Sequence, residues 1–180
     1  MKTRELYNII DAFCPKTLSC SWDNDGIMVS PSLDAEVKRV LLSLDATYEA
    51  VSYAADYGYD TLITHHPMLF RGAKSVSETN LSGRRIIRAL SSGVTVMSFH
   101  TRLDACEGGV NDELMNRLGF TPTGAFGDEE SPTLVRIADI PPMTARELAC
   151  LVRDKLGCTA VRLNGKADAV VRKIGVCGGD

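Results

Sequence analysis

Short apolar, branched runs alternate with amphipathic helical stretches along much of this chain, and the alternation limits the fold more than any other feature. Residues 37–44, 60–64 and 94–99 each read as short buried strands. Between them the apolar spacing becomes that of a helix. Thr47 can cap one helix that Gly58 closes after Tyr57, and Asn80 or Ser82 can open another that carries Ile86, Ile87 and Leu90 and stops at Gly93. Strand, helix, strand, helix, strand predicts a parallel sheet, because parallel neighbours must be joined by a crossover and a helix is the usual one. An amphipathic helix over 3–13, with Leu6, Ile9, Ile10 and Phe13 at helical spacing and Pro15 to help stop it, precedes the sheet.

Another helix is expected over 110–118. The following stretch, 121–132, is rich in Gly, Pro and acidic residues and is expected to separate an N-terminal α/β lobe, 1–122, from a second α/β lobe, 123–180. In the second lobe 134–140 reads as a strand. Thr144-Ala145-Arg146-Glu147 is a capping box, whose hydroxyl and carboxylate satisfy each other's backbone amides, and it starts a helix running to Leu156. Residues 160–163 and 169–177 read as further strands. The last residues, Gly178-Gly179-Asp180, stand where a strand would turn into a helix, so the second lobe is expected to be incomplete. The fold class is therefore α/β, with two lobes built on mainly parallel or mixed sheets.

A chain of 180 residues suffices for one substantial core or two small lobes. Its 20 Lys and Arg against 23 Asp and Glu leave a net charge of -3, so there is no positive field for nucleic-acid phosphates. The apolar runs are far shorter than the roughly 20 residues of a membrane span, and no signal peptide is visible, which predicts a cytoplasmic protein. The six cysteines are scattered without a Cys-x-x-Cys pair, against both a disulfide framework and a thiolate zinc site; most are expected to be small buried hydrophobes.

The chemistry is concentrated in the histidines. All three, His65, His66 and His100, fall just past the ends of two expected strands, and Asp104 lies four residues beyond His100. Strand ends of a parallel sheet open on one edge, where ligands of open α/β sheets bind, so segments distant in sequence can converge there. Imidazole and carboxylate suit divalent Zn, Fe, Mn or Ni. Neighbours on an extended strand point to opposite faces, and Pro67 favours an extended His66, so His65 and His66 are expected to serve two different ions. Asp104 can ligate or bridge; His100 can be a further ligand or a residue that orients one. This set is too small for two ions, and Asp23, Asp25, Asp45, Glu107 and Asp112 are the carboxylates available to enlarge it.

Other constellations point less far. Ser98, His100 and Asp104 have triad residue types but no Gly-x-Ser-x-Gly elbow. Cys106 is a conceivable thiolate nucleophile near His100. Gly108-Gly109 before a helix can expose amides to an anion or simply form a tight turn. Trp22, beside Asp23-Asn24-Asp25-Gly26, reads as a packed aromatic next to an Asx-type turn in preference to a substrate contact.

Three segments together, Ser21-Trp22-Asp23-Asn24-Asp25-Gly26, Leu62-Ile63-Thr64-His65-His66-Pro67-Met68-Leu69-Phe70, and the run from His100-Thr101-Arg102-Leu103-Asp104 through Gly108-Gly109-Val110-Asn111-Asp112, resemble the GTP cyclohydrolase type 2 homologue family, also called the NGG-one-interacting-factor-three-like dinuclear metal proteins. The motifs occur in family order. The resemblance implies two α/β lobes, a site for two divalent metal ions, and a homohexameric ring. Carried over by motif, His65 and His66 would bind metal, Asp104 would be a ligand of one ion, and His100 would lie close by; as the only other histidine and close to Asp104, His100 can serve as the catalytic proton shuttle. It also implies a further His and Glu from a later C-terminal segment, which this sequence does not reach. The expected activity is a metal-dependent hydrolase in which metal-activated water attacks a nucleotide-like or other small substrate. The alternative is a non-catalytic, metal-binding oligomeric scaffold or regulator, and a third reading is a hydrolase with Cys106 as nucleophile.

Overall fold

The structure, a computed structural model, describes residues 1–129 and 133–178. The end of the Gly- and Pro-rich stretch and the terminal Gly179-Asp180 lie outside the described residues. The chain divides into two compact units, Met1–Leu103 and Asp104–Asp180. The division falls ahead of the change in composition at 122/123, because the helix over Val110–Leu118 puts Met115 and Leu118 into the core of the second unit.

In the first unit, helix α1 (Thr3–Phe13) and a single 3-10 turn at Lys16–Leu18 lead to strand β1 (Gly26–Val29). Then follow β2 (Val40–Ser43), α2 (Tyr48–Asp56), β3 (Thr61–Thr64), α3 (Leu81–Ser91) and β4 (Thr95–Ser98). The caps are those the sequence offered: Thr47 accepts from the Ala50 amide and Asn80 from the Gly83 amide. The sheet order is β1-β4-β3-β2, with β2, β3 and β4 parallel as expected and β1 antiparallel to β4. Val51 and Ala54 of α2 and Ile86 and Ala89 of α3 pack on Leu62, Val94 and Val96. Each such side chain, fully buried, contributes roughly 1.5–3 kcal/mol for the larger aliphatics. All four residues of β4 are buried, as a central strand with both faces covered requires, whereas β2 is an edge strand with Leu42 exposed.

The short helix α4 (Thr101–Ala105) follows β4 and spans the point of division. The second unit continues with α5 (Val110–Leu118), β5 (Gly124–Phe126), β6 (Val135–Thr144), α6 (Ala145–Leu156) and β7 (Val170–Val176). Its sheet, β5-β6-β7, is wholly antiparallel. The register of β6 against β7 breaks between Asp139 and Met143, at Pro141-Pro142, which have no amide hydrogen to give to the ladder. The Thr144 capping box forms as expected: its hydroxyl accepts from the Glu147 amide at 3.2 Å, and Glu147 accepts from the Thr144 amide at 2.6 Å. Residues 160–163 are not a strand. Three of the cysteines, Cys150, Cys158 and Cys177, are exposed, so only Cys14, Cys20 and Cys106 behave as buried hydrophobes. Among the described residues no helix is long and apolar enough to cross a membrane.

Candidate metal centre

Parallel register sets the site. Thr64, the last residue of β3, is paired with Ser98, the last of β4, so the segments leaving both strands start at one sheet edge. Because β1 is antiparallel to β4 and its first residue, Gly26, pairs with Ser98, the residues entering β1 arrive at that same edge. His65 and His66 come from β3, His100 from β4, and Asp23 and Asp25 from the approach to β1.

The histidine doublet is not extended. The strand ends at Thr64 and the chain bends, with the Thr64 hydroxyl donating to the His66 carbonyl at 2.8 Å and the His66 amide donating to Leu44 at 3.0 Å. The expected divergence of the two rings is therefore absent. Their centroids are 5.0 Å apart, and His100 lies 5.3 Å from His65 and 5.7 Å from His66. One nitrogen from each of the three half-buried rings falls within 4.8 Å of the others, which makes them a group able to hold a metal ion. Three nitrogens at about 2.1 Å on one tetrahedral ion stand about 3.4 Å apart, so the set would close by up to about 1.4 Å to hold a single ion.

Each ring is held through its Nδ1. His65 Nδ1 is 3.1 Å from the Phe99 carbonyl, His66 Nδ1 2.8 Å from Asp45, and His100 Nδ1 2.9 Å from Asp23. A carbonyl or carboxylate oxygen can only accept, so in all three Nδ1 carries the proton and Nε2 of the neutral ring keeps its lone pair. Burial and the neighbouring His100 and His66 lower the His65 pKa, with the Phe99 contact opposing, which favours the neutral, ligand-ready form. Burial would raise the Asp23 pKa, but bonds from His100 and from the Thr101 hydroxyl (2.6 Å) and amide (3.1 Å) outweigh it and bring it to about 2.

Asp25 supports the same edge from behind. Its carboxylate accepts from the His100 amide at 3.3 Å, from Arg102 Nε at 3.1 Å, and from Lys16 and Ser19. Arg102 is wholly buried, lies 4.5 Å over the Phe99 ring and also reaches Asp11 at 2.6 Å. Asp23 and Asp45, weighed from sequence as extra ligands, thus orient histidines instead, and Asp25 holds the backbone that carries one. The signal was present in the Trp-Asp-Asn-Asp motif, but only the β1–β4 pairing reveals its use.

Among the described residues the close-set group is the three histidines; Asp104 is buried in α4 and begins the second unit. In that unit Asp112 accepts from Arg136 and from the Gly108 amide at 2.6 Å, so the Gly108-Gly109 turn is closed by the chain's own carboxylate and is not an anion cradle. Glu107 is exposed. Cys106 is buried, and burial pushes its thiol pKa up, the opposite of an activated nucleophile. Ser98 is buried and bonds to Thr64 at 3.1 Å, so it forms no triad. Trp22 is 56% exposed and not packed away as its turn suggested.

The family model described as Duf34/NIF3 (NGG1p interacting factor 3) matches residues 1–180. The chain belongs to the Duf34/NIF3 family. Among similar proteins, a GTP cyclohydrolase 1 type 2 homolog of Clostridium perfringens is 33% identical over 185 residues, which span 99% of this chain and 70% of that protein. The crystal structure of the Staphylococcus aureus hypothetical protein SA1388 has a TM-score of 0.88 at 26% identity, covering 99% of this chain and 72% of its own. A Bacillus cereus protein related to NIF3 has a TM-score of 0.84 at 21% identity over 100% of this chain and 77% of its own, which speaks for the fold alone. The Duf34/NIF3 resemblance and the mixed α/β fold read from the sequence agree with these comparisons.

Proposed function

We propose that this Duf34/NIF3 chain binds divalent metal through His65, His66 and His100 and uses it for hydrolysis of a small substrate. The observation that carries the reading is the converged set of three imidazoles, each with Nδ1 committed to an oxygen acceptor. Neutral imidazole nitrogens suit Zn, Fe, Mn or Ni, and the donor set therefore fits such an ion. When bound, a divalent ion lowers the pKa of water and polarises an electrophile. The chain's own contribution is orientation. Phe99, Asp45 and Asp23 aim His65, His66 and His100, and Asp23, held ionised, keeps the His100 proton on Nδ1 so that Nε2 offers its lone pair. The family resemblance extends the set to Asp104, two ions and a hexamer; the proposal rests on the three histidines.

Metal analysis of the purified chain tests it. The double change His65→Ala, His66→Ala abolishes tight binding of Zn or Mn, and an unchanged metal stoichiometry refutes the assignment. His100→Ala should weaken metal binding, and a variant that keeps full metal occupancy but loses turnover would take His100 out of the ligand set and assign it to proton transfer. Bound metal with no turnover against nucleotide and other small ester or amide substrates favours the scaffold reading.

A further inference from the structure

Two large aromatic side chains stand open beside the histidine cluster. Trp22 is 56% and Phe70 46% exposed, although each belongs to a segment fixed in place. The Asn24 side chain donates to the Leu69 carbonyl, tying the two segments together, and Asp23 and Met68, the neighbours of Trp22 and Leu69, are anchored or buried. The rings meet edge to face with centroids 6.1 Å apart, and His100 sits edge-on to both at 6.3 Å. Trp22, Phe70 and His100 therefore form a corner of three rings set edge to face. One side belongs to the candidate reaction centre, and the other two leave about half their surface to water.

We propose that Trp22 and Phe70 are the ring-binding side of this site, taking a flat conjugated heterocycle against their open surfaces and presenting it to His100. The placement beside a reaction centre rests on the proposed function; the binding of a ring does not. Rigid aromatics lose little entropy on binding, and their faces stack on any flat π-system while discriminating poorly among aliphatic groups. An aliphatic or purely ionic substrate would leave both rings without use.

The chain has one tryptophan, so its intrinsic fluorescence reports Trp22 alone. Inosine, a neutral purine nucleoside, should quench that emission saturably, and ribose should not. Phe70→Ala should raise the inosine Kd roughly tenfold, the usual worth of one aromatic–base contact. Trp22→Phe, followed by calorimetry because it removes the fluorophore, should retain weakened binding. The titration is run on chelator-treated and on metal-loaded protein. Saturable quenching in either supports the ring face, and its persistence in a protein that fails metal analysis would sink the proposed function alone. The inference is overturned if inosine does not quench in either form, if ribose or choline acts as well as inosine, or if Phe70→Ala leaves the Kd unchanged. It is equally overturned if Trp22 emission shifts with protein concentration, because a second copy then covers the rings.

Discussion

Asp23→Asn is the most informative single change. The Asp23 carboxylate side chain is fully shielded from solvent and receives three donors, His100 Nδ1–H and the Thr101 amide and hydroxyl. Its pKa lies at about 2 against an ordinary 3.8, and that depression corresponds to about 2 kcal/mol of stability in the ionised form. Because the folded pKa is the lower one, this contribution is complete above about pH 4 and is lost as pH falls towards about 2. An amide can keep its oxygen on Thr101 only by turning its NH2 towards His100. That forces the His100 proton from Nδ1 to Nε2 and replaces a lone pair with an N–H at the face of the cluster. Urea denaturation at pH 7 should show a loss of about 2 kcal/mol. The difference from the unaltered chain should shrink on acidification through the same window. With only three histidines in the chain, nitrogen NMR resolves the tautomer directly. Metal affinity should fall roughly 10- to 100-fold. An unaltered urea midpoint with His100 still protonated at Nδ1 would refute the reasoning.

Arg102→Met should destabilise by about 3–5 kcal/mol in the same assay, because it strips the buried Asp25 of a charged donor; a loss below about 1 kcal/mol would count against that network. Arg102→Lys should rescue poorly, since one ammonium cannot reach Asp25, Asp11 and the Cys14 carbonyl together. Gly83→Ala should cost about 1–3 kcal/mol and expose 71–80 to limited proteolysis, because the new Cβ would stand 2.2 Å from the Ser77 carbonyl oxygen; an unchanged melting temperature would contradict this. In a proton NMR titration of metal-free protein, His65 should stay neutral below its ordinary 6.5, and a midpoint at or above that value would show that burial does not govern it.

What could be read from the sequence was whatever is local. Thr47, Asn80 and the Thr144–Glu147 pair announce their helices because a cap needs only its own first turn. The buried strands β3 and β4 carry their own apolar runs. By contrast β1 is four residues that become a strand only by pairing with β4, and β5, Gly124–Phe126, is exposed and lies in a stretch whose composition reads as a linker. The three histidines were legible as one site because strand ends share an edge. Their geometry was not, because the bend at His65 depends on hydrogen bonds to Thr64 and to Leu44 across the neighbouring strand. For the same reason Asp23 and Asp45 looked like spare ligands: a carboxylate's partner, and with it the carboxylate's task, is set by tertiary contact.

The antiparallel entry of β1 has a kinetic meaning. Asp23 and His100 are 77 residues apart in the chain, and their bond closes only after β1 has joined β4. A molecule in which β2, β3 and β4 had assembled before that long loop closed would hold His100 without its bond to Asp23. A cation that requires all three imidazoles in place would bind the finished unit and not its precursors, pulling the equilibrium forward by mass action. Metal supply would then act on the yield of folded molecules as well as on their chemistry, and the pairing of β1 with β4 would be part of what lets a molecule compete for metal.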